Sequence, residues 1–286
     1  MSRGKKAIRS DASLRGKVRD VARSHGLRPQ EVLQMYLFER LLARLESGPY
    51  AGNFVLKGGL LVASMIGLAG RTTMDMDTTV RALPMGKGEV ERVLREVCAT
   101  DAGDGMEYSL ERVEPIREDD EYANWRAHLR VRYGRIDAPI KVDITTGDIV
   151  TPGAVPYGYP LMFGGGTLEV PAYPLETVLA EKLETCVRRG VANTRGRDYY
   201  DLWALLRTRG DEIDPPTLRS ALLATAERRG SVGLMPGFEA VLSEVRESPA
   251  MLGVWHSYTR DTPYAEGIPF DDAVDAAVAV GRIALS

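Results

Sequence analysis

Residues 57–80 read KGGLLVASMIGLAGRTTMDMDTTV and decide how the first half of the chain folds. They follow the apolar, strand-like residues 54–56 (FVL), and the glycine pair 58–59 ends that run. An apolar helical segment comes next, and then two carboxylates, Asp75 and Asp77, stand one residue apart in β-favouring surroundings. Residues i and i+2 of a strand face the same side, so we expect these carboxylates to project together.

Two adjacent carboxylates repel each other unless a cation lies between them. Mg²⁺, or Mn²⁺ in its place, takes oxygen ligands of this kind together with substrate phosphates. A glycine turn that lets the backbone approach a phosphate, beside such a pair, is the outline of a nucleotidyl-transfer site. The DxD pattern alone is weak, because it also occurs in metal-dependent glycosyltransferases and by chance in surface loops. The glycine pair that precedes it makes the nucleotidyl-transfer interpretation more specific. The chain has neither the Walker A pattern GxxxxGK[ST] nor the dinucleotide-binding pattern GxGxxG.

The composition is that of a globular protein. The chain has 286 residues, 44% of them hydrophobic, and a formal net charge of −3. Its length accommodates one large domain or two modest ones. The first 28 residues carry a cluster of nine basic residues, Arg3, Lys5, Lys6, Arg9, Arg15, Lys17, Arg19, Arg23 and Arg28. Such an arm can bind nucleic acid, although a solvated charged helix with a frayed terminus gives the same pattern.

Several classes of protein are disfavoured. The two cysteines, Cys98 and Cys186, have no CxxC spacing, so a disulfide framework and a zinc knuckle are both unsupported. The basic N-terminus lacks the apolar segment of a signal peptide. The longest apolar run, Leu60 to Ala69, is shorter than the roughly 20 residues that span a bilayer. We therefore expect a cytoplasmic protein without a membrane partner.

The apolar periodicity predicts an α/β half followed by a helical half. In the first half, helices are predicted over 12–25, 29–46, 60–68 and 89–99, and strands over 53–56, 74–82, 106–113, 125–133 and 139–145. The stretch 146–174 is rich in Gly, Pro and Tyr and is predicted as loop with a short strand. Later helices are predicted over 174–189, 198–209, 215–228, 236–247 and 270–285. This organisation indicates two lobes, 1–170 and 171–286, with a cleft between them.

A third carboxylate completes the predicted metal site. Asp143 stands between apolar residues in the strand-like stretch 140–144 (IKVDI), which makes it the candidate third ligand beside Asp75 and Asp77. The alternative is that simple alternation turns Asp143 toward solvent. Asp148, in the sequence TGD, is interpreted as a turn residue.

Two residues ahead of the DxD pair are candidate phosphate contacts. Thr73 stands two positions before Asp75, so on a strand it would share that face and could touch a phosphate. Arg71 could do the same, or it could cap the end of the preceding helix.

The helical half carries a second polar cluster. Lys182 borders the apolar stripe of the helix predicted over 174–189, so it either extends to solvent or reaches a triphosphate. Arg195, a candidate nucleotide contact, and Asp198 lie at a loop-to-helix junction. Asp198 could be an ordinary N-cap, or a base that accepts a proton from an attacking hydroxyl.

Together these motifs resemble the AbiEii/AbiGii toxin family, nucleotidyltransferase-like proteins of bacterial type IV toxin–antitoxin and abortive-infection systems. The resemblance runs from LFERLLARLESGPYAGNFVLKGG through RTTMDMD and KVDITTGD to AEKLETCVRRGVANTRGRDYYDL. It implies an α+β fold, with a DNA polymerase β-like nucleotidyltransferase core and a helical C-terminal lobe. It also implies transfer of nucleotides from NTP, with tRNA as the acceptor in some members, and a cognate antitoxin encoded nearby.

The resemblance also implies roles for individual residues. By motif position, Asp75 and Asp77 would bind metal, Lys182 would contact the nucleotide, and Asp198 would be the catalytic acidic residue of the second lobe. The positions near the triphosphate would be Gly58, Gly59 and Thr73. One departure from the family pattern is Arg197, where the family commonly has lysine. The Gly-Gly pair also differs from the Gly-Ser of nucleotidyltransferases in general.

The leading hypothesis is a toxin that transfers nucleotides from NTP onto RNA, at a tRNA 3′ end, with Mg²⁺. One alternative is a nucleotidyltransferase or kinase that modifies a protein. Another is a catalytically idle nucleotide- or RNA-binding module on the same fold. A glycosyltransferase is disfavoured because no doubly wound nucleotide-sugar domain precedes the DxD.

Overall fold

The computed structural model describes residues 8, 10–84, 86–116 and 124–285. The chain divides into two compact units. The first comprises the residues through Asp148 together with Val155–Ala172, and the second comprises Ile149–Ala154 and the residues from Tyr173 onward.

A mixed seven-stranded sheet forms the centre of the first unit, in the order β3-β4-β5-β2-β1-β7-β6. Its strands are β1 (Phe54–Lys57), β2 (Met76–Val80), β3 (Glu107–Pro115), β4 (Trp125–Tyr133), β5 (Ile136–Thr145), β6 (Val155–Pro160) and β7 (Thr167–Ala172). The pairs β2–β5 and β1–β7 are parallel, whereas β1–β2, β3–β4, β4–β5 and β6–β7 are antiparallel. The central position of β1 and β2 places Asp77 in the middle of the sheet, with the glycine pair directly after β1 and Asp75 directly before β2.

The helices of the first unit are α1 (Asp11–His25), α2 (Pro29–Ser47), α3 (Gly58–Ile66) and α4 (Lys87–Ala99). Helix α1 begins at the N-cap Ser10, whose hydroxyl accepts from the backbone N–H of Ser13 at 3.2 Å. It ends at Gly26, whose φ of 66° is the left-handed conformation that glycine adopts without strain. Helix α2 packs on β5 and β7, α3 on β1 and β2, and α4 on β3, so these helices cover apolar surface of the sheet.

The second unit is helical. It contains α5 (Leu175–Arg189), α6 (Gly196–Arg209), α7 (Pro215–Arg228), α8 (Phe238–Glu247), α9 (Pro249–Arg260) and α10 (Phe270–Leu285). Helix α10 packs on α5, α6, α7 and α8. The contact with α8 depends on Gly281, because a Cβ there would lie 2.2 Å from Cε2 of the Phe238 ring. The sequence favours core positions for Tyr199, Tyr200, Leu202 and Trp203; the first three are buried in this core and Trp203 is half-buried.

Three segments differ from the sequence prediction. The stretch predicted as loop with a short strand contains both β6 and β7, and β6 carries two prolines and a glycine that disfavour strand formation. Because β6 is an edge strand, it tolerates prolines that a central strand would exclude. Helix α9 was not predicted, although Ser248 caps it by accepting from Met251 N–H at 3.4 Å and Pro249 occupies its first turn. The strand predicted over 74–82 corresponds to β2, which is shorter and comprises only Met76–Val80.

The basic residues of the N-terminal arm fall in three groups. Arg3, Lys5, Lys6 and Arg9 lie outside the described residues, Arg15, Lys17, Arg19 and Arg23 lie on α1, and Arg28 is the N-cap of α2. Two of the helical residues have contacts within the first unit, because Arg15 pairs with Asp11 at 3.3 Å and Lys17 lies over the ring of Phe163. In the described part of the chain, we find no helix with the length and apolar character needed to cross a membrane.

Candidate functional site

The glycine pair brings the N-terminus of α3 against the carboxylate of Asp77. Strand β1 ends at Lys57 and α3 begins at Gly58, whose φ is 65°. A Cβ at Gly58 would lie 2.1 Å from Oδ2 of Asp77, so no side chain fits there. The backbone N–H of Gly59 donates to the same oxygen at 3.4 Å. Asp77 therefore lies at the positive end of a helix, where a negative charge is stabilised.

Arg71 and Thr73 contact this turn from the segment before β2. A Cβ at Gly59 would lie 2.9 Å from Oγ1 of Thr73 and 3.4 Å from Nη2 of Arg71. Arg71 is buried and donates to the backbone carbonyl of Thr72. The structure thus brings together three predicted phosphate contacts, Gly59, Thr73 and Arg71, around the N-terminus of α3. Backbone N–H groups of a helix N-terminus and a guanidinium are suitable ligands for an anion.

Asp75 occupies a bend directly before β2 rather than a position on the strand. Strand alternation therefore does not determine where the Asp75 side chain points. The prediction that Asp75 and Asp77 share one face of a strand is wrong in this respect. Its position is instead fixed by Thr73, whose hydroxyl donates to the backbone carbonyl of Asp75 at 3.1 Å and accepts from its N–H at 3.4 Å.

Asp143 lies in the neighbouring strand, level with Asp77 in the parallel β2–β5 pairing. On its other side it is paired in register with Arg126 of β4. Arg126 Nε donates to Asp143 Oδ1 at 2.8 Å, and Nη2 donates to Oδ2 at 2.7 Å. Asp143 is therefore beside Asp77, as the metal-site prediction requires, but both of its oxygens accept hydrogen bonds from Arg126. Across the described segments, no group of three or more His, Cys, Asp or Glu side chains is arranged to hold a metal ion.

A row of charged side chains crosses five strands at this level. In the order of the sheet, the register partners are Glu114 (β3), Arg126 (β4), Asp143 (β5), Asp77 (β2) and Lys57 (β1). The hydrogen bonds from Arg126 to Asp143 raise the pKa of the guanidinium most strongly, and the charges of Asp143, Asp75 and Glu114 raise it further against the opposing effect of burial. Asp75 thus contributes to the electrostatic field at Arg126.

Asp148 is a missed residue of this site. It was interpreted as a turn residue, but its Oδ2 accepts from Lys57 Nζ at 2.5 Å and from the hydroxyls of Thr145, also at 2.5 Å, and Thr79. Burial alone would raise the pKa of Asp148, but the charge of Lys57 and these hydrogen bonds lower it to about 2. The paired positions of Thr79 and Thr145 on β2 and β5 were the available signal, and using it required the strand register.

The second unit brings Lys182 together with Asp198 and Asp201. Lys182 Nζ on α5 donates to Asp201 Oδ2 at 2.5 Å and to Asp198 Oδ1 at 3.4 Å, both on α6. Asp201 is fully buried and Asp198 is nearly so. Lys182 therefore does not simply extend to solvent. Sequence reasoning missed Asp201, although residues three apart on a helix share a face.

Asp198 is not the N-cap of its helix. Helix α6 begins at Gly196 and its N-cap is Arg195, which places Asp198 inside the first turn. Among the described residues, Oδ2 of Asp198 is buried without a hydrogen-bond partner. A buried carboxylate oxygen of this kind can accept a proton from a nearby hydroxyl, which keeps the general-base interpretation open.

Arg195 lies at a cavity of about 490 Å³ in the second unit. Arg197 also lines this cavity, together with Ser257 and Tyr258 of α9. Both arginines are exposed at the start of α6. Two guanidinium groups beside the start of a helix can bind an anionic ligand.

Comparisons with known proteins add to this geometry. The sequence profile of the family described as "Nucleotidyl transferase AbiEii toxin, Type IV TA system" matches residues 40–278. A candidate nucleotidyltransferase from H. pylori is similar in structure, with a TM-score of 0.54 and 15% sequence identity over 90% of this chain and 94% of that chain. JHP933 from Helicobacter pylori gives a TM-score of 0.54 and 15% identity over 89% of this chain and 90% of that chain. No curated protein matches the chain significantly.

The structural similarity concerns the fold. At this level of identity, the two H. pylori structures show that the chain has the mixed sheet and helices of a nucleotidyltransferase fold. The predicted α+β, DNA polymerase β-like class is therefore confirmed.

Proposed function

The chain belongs to the AbiEii family of nucleotidyl transferase toxins from type IV toxin–antitoxin systems, and we propose that it transfers nucleotides from NTP onto RNA, at a tRNA 3′ end, with Mg²⁺. Family membership makes it a nucleotidyltransferase of the toxin class. The RNA acceptor, the metal and the individual residue roles are the proposal.

One observation carries this proposal: the carboxylate of Asp77 lies against the N-terminus of α3 at a glycine that admits no side chain. Thr73 and Arg71 lie at the same turn. This arrangement supports the proposal, because a metal-bound triphosphate requires a cation ligand beside anion-binding groups.

The acidic residues of the first unit fit a magnesium ion. Mg²⁺ usually keeps several waters and takes one or two protein carboxylates together with substrate phosphates, so it needs no preformed cage of three protein ligands. Asp75 and Asp77 would hold it, and the prediction adds Asp143 as a third ligand. When bound, the ion supplies positive charge to the phosphate oxygens that become more negative during transfer.

The remaining residues would bind the substrate and move a proton. The backbone at Gly58 and Gly59, with Thr73 and Arg71, would bind the triphosphate, and Lys182 and Arg195 would contact the nucleotide. The acceptor hydroxyl oxygen forms a bond to the α-phosphorus, the bond to the β-phosphate oxygen breaks, and pyrophosphate leaves. Oδ2 of Asp198 would accept the hydroxyl proton.

Partners follow from the same family. We propose that a cognate antitoxin encoded nearby opposes this activity in the cytoplasm, and that residues 1–170 and 171–286 are the two functional domains. The basic side chains Arg15, Lys17, Arg19 and Arg23 on α1 support an RNA substrate, because lysine and arginine clusters attract the phosphate backbone.

The test is incorporation of nucleotide into RNA. Purified protein is incubated with each α-labelled NTP, Mg²⁺ and total tRNA, and the labelled 3′ ends are sequenced. We expect 3′ extension by the wild type and a loss of about 100-fold or more in Asp75→Ala and Asp77→Ala, because each removes a charge at the reacting phosphates. Asp211→Ala, at an exposed position of the second unit, is the control.

Other outcomes identify the alternatives. Label that appears in protein rather than RNA would indicate a protein-modifying enzyme. Nucleotide binding without incorporation from any NTP, or full incorporation by Asp75→Ala, would contradict the proposed activity.

A further inference from the structure

Arg126 is the residue of the acidic site that sequence motifs gave no reason to notice. It belongs to the alternating segment RAHLRVRYG of β4, in which charged residues are expected on a half-exposed strand. In the structure its guanidinium forms two parallel hydrogen bonds to Asp143, at 2.8 and 2.7 Å. In this bidentate geometry, each carboxylate oxygen of Asp143 accepts one hydrogen bond from Arg126.

The contact between Arg126 and Asp143 offsets repulsion between neighbouring carboxylates in the row of charged side chains. Asp77 and Asp143 are direct cross-strand neighbours on β2 and β5, and like charges in that arrangement destabilise a sheet. Asp75 adds a third negative charge two residues before Asp77. Arg126 therefore supplies a cation beside these like charges, held by its two hydrogen bonds to Asp143.

The ion pair between Arg126 and Asp143 is expected to contribute little to the stability of the fold. The side chain of Arg126 is 35% exposed and that of Asp143 is 15% exposed, and pairs near the surface contribute about 0–1 kcal/mol. Arg130, four residues away on the same strand, is a matched comparison, because its side chain is 34% exposed and it also pairs with carboxylates, those of Glu111 and Asp137. Arg130 thus has the same chemistry without the neighbouring pair of Asp75 and Asp77.

We propose that Arg126 is a positioning residue that acts as a built-in cation for Asp143 and thereby restricts divalent-ion binding to Asp75 and Asp77. This inference rests on the proposed metal-dependent function. Its consequence is that Asp143 contributes little to metal affinity while Arg126 is present. Removing the guanidinium would free both oxygens of Asp143 and add a negative charge to the metal site.

The experiment is Mn²⁺ binding to the full chain, measured without RNA or NTP from the electron paramagnetic resonance signal of free Mn²⁺. The variants are Asp77→Asn, Asp143→Asn, Arg126→Gln and the double variant Arg126→Gln/Asp143→Asn. We expect Asp77→Asn to weaken binding about 10-fold and Asp143→Asn to change it less than about 2-fold. Arg126→Gln should tighten binding about 5- to 10-fold, the size expected for one charge at several ångströms in a half-solvated site.

Two controls separate this effect from general charge and folding. Arg130→Gln removes the same charge from the same strand and should leave Mn²⁺ affinity unchanged. Arg126→Lys keeps the charge without the bidentate geometry and should give an affinity between wild type and Arg126→Gln, so it replaces the glutamine variant if that one fails to fold. In the double variant the gain should disappear.

Equal weakening by Asp143→Asn and Asp77→Asn would overturn the inference and leave the proposed function intact, because Asp143 would then be an ordinary metal ligand. Weakened binding in Arg126→Gln would also overturn it. If no variant, wild type included, binds Mn²⁺, both the inference and the proposed metal site are overturned.

Discussion

The two units hold their acidic groups with cations in different ways. In the first unit, Arg126 and Asp143 come from adjacent strands and remain partly exposed. In the second, Lys182 and Asp201 come from different helices, and the aspartate is fully buried. The strand pair can lose a partner at low cost because it lies near the surface, whereas losing Asp201 leaves a largely buried ammonium with the more distant Asp198, at 3.4 Å. We infer that the ion pair of the first unit tolerates substitution and that the ion pair of the second unit does not.

The largest effect is expected at the helix pair. Asp201→Asn takes the nearer negative charge away from the largely buried Lys182 ammonium, which keeps Asp198 at 3.4 Å. Breaking a buried ion pair costs about 3–5 kcal/mol, and because Asp198 remains we expect the lower end of that range, about 3 kcal/mol. Urea unfolding should show this loss in the free energy of unfolding. In the same assay Asp143→Asn should cost less than about 1 kcal/mol, and the exposed control Asp211→Asn should be near neutral. Equal costs at Asp201 and Asp143 would remove the distinction between the two regions.

The next effect concerns the turn that positions Asp77. Gly58→Ala would place a Cβ against the carboxylate at a φ of 65°. Left-handed strain and the clash together should cost about 2–3 kcal/mol, measured by urea unfolding. Gly52→Ala is the matched control, because a Cβ at Gly52 has no atom within 4 Å. A Gly58→Ala variant as stable as Gly52→Ala would mean that backbone geometry does not fix the position of Asp77.

The smallest of these effects is pH-dependent and belongs to Asp148. Its pKa of about 2 in the folded state lies below the value of 3.8 for a free aspartate. A depressed folded-state pKa contributes stability above the unfolded pKa, and that stability is lost as the pH falls through the folded pKa. Asp148→Asn should therefore lower the free energy of unfolding by about 2 kcal/mol at pH 7, with the difference shrinking between about pH 4 and pH 2.

The control for this pH dependence is Asp20→Asn, at an exposed position of α1. It should leave the pH profile of stability unchanged. A wild-type and Asp148→Asn difference that stays constant from pH 7 to pH 2 would show that Lys57 does not hold Asp148 as a charged partner.

The sequence was informative where local chemistry decides the structure. The glycine pair, the helix after it and the strand that carries Asp77 were readable, because positive-φ glycine and apolar periodicity act over a few residues. The prediction placed Asp75 on the strand, but β2 begins one residue later. Hydrogen bonds to the neighbouring strand determine the residue at which a strand starts, and the local sequence does not specify them.

Contacts between distant segments were not readable. Apolar and charged residues alternate along β4, which is typical of a half-exposed strand, but only the register against β5 shows that Arg126 reaches Asp143. The same holds for Asp148 with Lys57 and for Asp201 with Lys182, each of which joins segments far apart in the chain. Periodicity specifies a face, and tertiary packing selects the partner on that face.

The most direct test of the central claim is Mg²⁺-dependent binding of NTP, measured by isothermal titration calorimetry with a non-hydrolysable analogue. The account predicts that wild type binds the analogue in Mg²⁺, that EDTA abolishes binding, and that Asp75→Asn/Asp77→Asn shows no more binding in Mg²⁺ than wild type shows in EDTA. Tight binding by the double variant, or wild-type binding that is indifferent to EDTA, would contradict the claim that these two carboxylates hold a metal ion against the nucleotide.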